Sequence, residues 1–257
     1  MYYEVDGVGS SLVLIHAGFL DSRMWDEQFQ LFSRRYRVVR YDVRGYGKSD
    51  MPEAKYSDAA DLLALIRQLG TEKASLIGVS NGGRIALDFA VQHPKMVESL
   101  VLVGTGVSGY ETTGPDEDKI WEEFDRQMKP QEDLVKENRI REAVEVDVNT
   151  WAGAQSPESR NRIFAIALDN SHILKEHPGK LQVSPNPPAF KRLSEIRVPT
   201  LLIIGDRDVQ GMQMIVERLH RMIPDSKKVV IHGGDHITNM SQPEEFNKNV
   251  LGFLATK

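Results

Sequence analysis

Short aliphatic and β-branched runs at residues 12–15, 38–41, 74–79, 100–103, 200–204 and 229–231 alternate with longer segments whose apolar residues recur at helical spacing, at 57–69, 83–91, 212–222 and 244–254. This alternation constrains the fold more than any other feature. Apolar runs this short and this continuous fit strands buried on both faces, and the intervening helices supply the crossovers that parallel pairing needs. The prediction is an α/β fold: a mostly parallel sheet with helices on both faces.

The alternation stops between residues 107 and 190. No strand pattern is found there, only amphipathic stretches at 119–128, 133–148 and 159–174 and a Pro-rich exit, Pro185-Asn186-Pro187-Pro188. The segment reads as a helical cap inserted into a core made of residues 1–106 and 191–257. It holds 10 basic and 16 acidic residues, a net of −6, against a whole-chain charge of −5. The acidity therefore belongs to the insertion, where solvated helix faces are its simplest explanation.

A chain of 257 residues that is 40% apolar can bury a substantial core. No basic cluster points to nucleic acid, and no apolar stretch is long enough to suggest a membrane span. Without cysteine there can be no disulfide, thiolate nucleophile or Cys-ligated zinc. The opening residues lack the basic and apolar regions of a signal peptide, so a soluble, cytoplasmic protein is expected.

The chemistry concentrates at Gly78-Val79-Ser80-Asn81-Gly82, a GxSxG pattern directly after a strand candidate and directly before a helical one. In a turn this sharp, glycines leave room where a Cβ would clash, the serine is held clear of the sheet, and the opening N–H groups of the helix point to where negative charge develops in acyl transfer. Such a serine needs a base, and the base needs an orienting carboxylate. Of seven histidines, His236 lies in the loop Gly233-Gly234-Asp235-His236 after the last strand candidate, at the sheet end where open α/β folds place their sites. His16 is expected to brace a loop, and His93, His172, His177 and His220 to pack or face solvent. The carboxylate should come from Gly205-Asp206-Arg207-Asp208; Asp208 is preferred, since Asp206 lies close enough to the turn to brace it or to pair with Arg207. Backbone N–H groups of Asn81 and Gly18, with Phe19 as second choice to Gly18, are the expected oxyanion donors.

Two other patterns are set aside. Gly104-Thr105-Gly106-Val107-Ser108-Gly109 has the GxGxxG form of a dinucleotide loop but opens no helix, since Tyr110–Pro115 carries Thr, Gly and Pro. His232 and His236 have the spacing of paired zinc ligands on a helix, yet Gly233-Gly234 between them opposes one. No cofactor or metal is implied.

With these residues in hand, nearly the whole chain resembles the α/β-hydrolase superfamily: His16-Ala17-Gly18, the DxRGxGxS segment Asp42–Ser49, the elbow at Ser80, the acid loop at Asp208 and Gly234-Asp235-His236, in the family order Ser, Asp, His. The resemblance supports Asp208 as the acid and makes Asp42–Ser49 a structural loop with no chemistry of its own. Ala17 departs from the usual glycine, and the start so close to the first conserved strand implies a shortened N-terminal hairpin. Within the superfamily the pattern is similar to the esterase, enol-lactonase and cofactor-free haloperoxidase-like branch. The resemblance implies a Ser80-His236-Asp208 hydrolase of small esters or lactones, with Phe19 and Trp151 near the substrate; a packing role is the alternative for Trp151. Ser80 at the elbow disfavours the dehalogenase and epoxide-hydrolase chemistries, which use aspartate there. A triad-bearing receptor with little turnover and a perhydrolase are the alternatives.

Overall fold

The computed structural model describes residues 1–256. Seven strands form one sheet in the order β1-β3-β2-β4-β5-β6-β7: β1 (Tyr3–Asp6), β2 (Ser11–Ile15), β3 (Arg37–Tyr41), β4 (Ala74–Val79), β5 (Val97–Val103), β6 (Thr200–Gly205) and β7 (Lys227–Ile231). All neighbours are parallel except β1, which runs antiparallel along β3. The six strands expected from sequence are present. β1 was not expected, because an edge strand of alternating Tyr3-Glu4-Val5-Asp6, with its last two residues exposed, has no continuous apolar run.

Period-two geometry sends successive side chains of each strand to opposite faces, so the sheet separates two cores. Val13, Ile15, Leu76, Leu100, Leu102 and Leu202 pack with α2 (Asp58–Gln68), α3 (Asn81–Gln92) and α8 (Gln210–Met222). Their neighbours Leu12, Leu14, Ile77, Val101 and Val103 pack with Phe32 of α1 (Asp26–Phe32) and with Phe246 and Val250 of the C-terminal helix (Pro243–Leu254).

Between β5 and β6 the chain forms a helical insertion: α4 (Pro115–Lys136), α5 (Ile140–Trp151), α6 (Pro157–Asp169) and the single turn α7 (Ile173–Glu176). Its internal boundaries differ from the sequence expectation. Pro130 sits inside α4, and the break comes at 137–139, where Asn138 takes a left-handed φ of 61° and ends the helix. The third stretch ends at Asn170, whose buried side chain leaves the helix register to bond Asp21 and the Gly47 N–H. α4 buries none of its residues. The insertion joins the second core through α5 and α6, by Val144, Val148, Ile163 and Ile166, while α4 lies on α8, with Trp121 against Gly211 and Glu117 paired with Arg218.

After β2 the chain crosses to β3 on one side, and it then returns to place β4 on the other side of β2. The carboxyl ends of β2 and β4 therefore flank the reversal of strand order, where such sheets open a crevice. The loops leaving these ends begin at His16 and Ser80.

Candidate active site

Ser80 leaves β4 with φ 56° and ψ −114°, a sparsely populated conformation for a residue with a Cβ. The glycines around it explain how that conformation fits. A Cβ on Gly78 would overlap the Gly82 carbonyl, one on Gly82 would overlap the Ile15 carbonyl, and one on Gly83 would strike Thr105. The backbone is fixed from both sides, because Ser80 N–H donates to the Val103 carbonyl at 2.9 Å and Gly106 N–H donates to the Ser80 carbonyl at 3.2 Å.

Between those two anchors lies Gly104, with φ +45°. A Cβ there would sit 2.8 Å from Asp208 Oδ2 and 3.0 Å from His236 Nδ1. The serine turn and the Asp208–His236 pair are thus packed against one short segment, residues 103–106. His236 Nδ1–H donates to both carboxylate oxygens of Asp208, at 2.9 and 3.0 Å, and both residues are buried. Asp208 Oδ1 also accepts the Val209 N–H. With Nδ1 engaged, Nε2 is the ring nitrogen left open. Among the described residues the Ser80 hydroxyl forms no hydrogen bond; such bonds are commonly long in the free enzyme and close when substrate binds.

Asp206 turns away from this pair. It accepts the Gly233 N–H at 2.7 Å and bonds His232 Nδ1 at 3.0 Å, so it braces the His236 loop, through His232 and not through Arg207.

The loop after β2 is held by His16, which is buried: its Nδ1–H donates to the Ala17 carbonyl, and its Nε2 accepts the Val43 N–H. Both ring nitrogens are spoken for, and burial lowers its pKa, so the ring is a neutral strut. The loop brings Gly18 against Asn81, where a Cβ on Gly18 would be 3.3 Å from Asn81 Cβ. Among the described residues the Gly18, Phe19 and Asn81 N–H groups donate to nothing in the chain.

Above these loops a cavity of about 470 Å³ is bounded by Gly18, Phe19 and Tyr46 from the core and by Gln131, Asp147 and Leu174 from the cap. Trp151, at the end of α5, reaches His236 itself, with ring centroids 4.6 Å apart. Phe124 of α4 packs behind Trp151, and Trp121 against Phe124. A larger concavity of about 740 Å³ lies behind Asp206 along α8; neither it nor the smaller cavity is lined by Ser80, Asp208 or His236, and only the smaller one reaches the Gly18 loop.

Four contributors escape sequence reading. Gly104 belongs to the GxGxxG pattern set aside above; its position at a strand's carboxyl end was the usable signal. Tyr46, in the segment read as purely structural, lines the cavity and packs edge-on against His16. Asp235, read only as the residue before His236, ties the cap to the His236 loop: it accepts the Ala154 N–H at 3.0 Å, the Gln155 side-chain amide at 2.8 Å and the Ile237 N–H at 3.1 Å. Asp147 is buried with one partner, the Gln131 amide, at 3.1 and 3.3 Å, and burial pushes its carboxyl up to about 6. Among the described residues no group of three or more His, Asp or Glu side chains is placed to hold a metal ion, and no helix is long and apolar enough to cross a membrane.

A family model described as the alpha/beta hydrolase fold matches residues 11–243. The chain is 30% identical over 234 residues to a putative 2-succinyl-6-hydroxy-2,4-cyclohexadiene-1-carboxylate synthase of Bacillus subtilis (strain 168), covering 86% of this chain and 81% of that protein. It is 26% identical over 258 residues to the carboxylesterase YbfK of the same organism, covering 95% and 80%. The crystal structure of a bromoperoxidase from Bacillus anthracis superposes with a TM-score of 0.81 at 28% identity, covering 99% of this chain and 95% of that one.

Proposed function

The chain belongs to the α/β-hydrolase family, and from that premise we propose that it is a serine hydrolase cleaving small carboxylic esters or lactones. The observation that carries this reading is the buried, two-pronged bond from His236 Nδ1 to Asp208, packed through Gly104 against the strained turn of Ser80. A packing role alone gives no reason for the pairing, since an imidazole and a carboxylate taken out of water are costly unless each satisfies the other.

In this reading Ser80 Oγ attacks the substrate carbonyl carbon while His236 Nε2 takes the hydroxyl proton. Asp208 keeps the imidazole in the Nδ1–H tautomer and stabilises the imidazolium. The N–H groups of Asn81 and Gly18 receive the oxyanion. As the carbonyl re-forms, the bond to the leaving oxygen breaks and His236 returns the proton to that alkoxide. Water, deprotonated by His236, then attacks the acyl-Ser80 ester; collapse of the second tetrahedral species frees the carboxylic acid and restores the hydroxyl. The carboxylesterase relative supports ester cleavage.

Ser80→Ala and His236→Ala should each lower kcat on a chromogenic ester or lactone panel by about 10⁶-fold, the scale on which such units fail when one member is removed. Retained turnover in Ser80→Ala sinks the assignment. Rapid labelling by a fluorophosphonate with sluggish turnover of every substrate would instead indicate a ligand receptor built on the same triad. The similarity to a bromoperoxidase favours one further activity, peracid formation from acetate and peroxide on the same residues.

A further inference from the structure

We infer that Asp147, held by Gln131, is a specificity-determining residue that receives a positively charged, hydrogen-bond-donating group at the far end of the substrate's acyl chain; this rests on the ester-hydrolase reading. Three observations converge on it. Asp147 borders the same cavity as Gly18 and Phe19, so its carboxylate shares a space with the loop expected to receive the oxyanion. It lies one helical turn before Trp151 on α5, and residues four apart share a helix face. The face that sets Trp151 on His236 therefore also turns Asp147 toward the site.

The third observation is an imbalance of partners. A carboxylate offers about four acceptor positions, yet among the described residues Asp147 receives only the neutral amide of Gln131. Lys180 borders the cavity but forms no ion pair with it. A buried carboxylate without a cation is costly, and its raised pKa, caused by burial, reflects that cost. A bound ammonium would supply the missing charge and donors together. The acids of α4 contrast with it: none is buried, and several already pair with neighbouring lysines and arginines.

The test compares p-nitrophenyl esters of ω-amino acids carrying two to five methylenes with their methyl-terminated isosteres, in which CH3 replaces NH3⁺. In the wild type the best ω-amino ester should exceed its isostere in kcat/KM by about tenfold or more, the scale of a charged hydrogen bond. In Asp147→Asn, which keeps the side chain's shape, that ratio should fall to about one. No preference in the wild type, or a preference that survives in Asp147→Asn, overturns the proposal. Where no ester is turned over at all, the hydrolase reading itself has failed, and calorimetry with pentylammonium and pentanol decides the recognition separately. Ammonium binding by the wild type that Asp147→Asn loses upholds it; equal binding by both proteins, or none by the wild type, overturns it.

Discussion

The core and the cap of this protein are built under different constraints. Around Ser80 the backbone has almost no freedom: Gly78, Gly82, Gly83 and Gly104 each stand where an added Cβ would meet another atom inside van der Waals distance. In the cap, α4 buries no residue and carries ion pairs between neighbours on the same helix, which contribute little each. The core therefore fixes where Ser80, Asp208 and His236 stand, while the cap is held more loosely around them. Trp151 and Asp235 are the points where the two halves touch at the site.

That contrast can be broken in order of expected effect. Asp208→Asn should reduce kcat by about 10⁴-fold, because an amide no longer enforces the imidazole tautomer; a steady-state assay checks it, and a loss near tenfold would move the acid elsewhere. Gly104→Ala adds one methyl group 2.8 Å from Asp208 Oδ2 at a positive φ, and should cost on the order of 10²-fold in kcat through misplacement of the pair. Full activity in that variant would show that the core is more forgiving than its geometry suggests.

In the cap the effects should be smaller and of another kind. Burial raises the folded pKa of Asp147 from the usual 3.8 to about 6, so the folded state holds that proton more tightly than the unfolded chain does. The stability this adds is complete below pH ~4 and is lost as pH rises through about 6, leaving a desolvation cost on the order of 2–3 kcal/mol at neutral pH. Asp147→Asn has no such titration, so its melting temperature relative to the wild type should be higher at pH 8 than at pH 4; a pH-independent difference would contradict the burial argument. Trp151→Ala removes an aromatic contact of about 0.5–1.5 kcal/mol with His236, and should lower kcat/KM by roughly tenfold at most. A loss comparable to Asp208→Asn would place the tryptophan in the chemistry itself.

Legibility in the sequence follows the same division. The β4 run, the GxSxG turn and the loops carrying Asp208 and His236 were readable because local sterics dictate them. A glycine that must admit a neighbouring backbone is conspicuous in the chain itself. Asp206 and Asp208 could be separated by reach, although the partner of Asp206 is His232 across the loop, a contact that only the close approach of Gly205 to Gly234 creates. β1 was invisible because its polarity alternates, and the end of the first cap helix was misplaced because it runs on through Pro130 and breaks only near Asn138. Asp147 looked like one more solvated acid, since its burial depends on how α4 lies across α5, and nothing in the order of residues encodes that crossing.

The central claim is that Ser80 is a nucleophile activated by His236. Its most direct test is the mass of the protein after brief exposure to a fluorophosphonate, with the adduct located by peptide sequencing. One adduct per chain, on Ser80, forming rapidly in the wild type and orders of magnitude more slowly in His236→Ala, is the expected result. An adduct on another residue, or equal labelling rates in the two proteins, would contradict it.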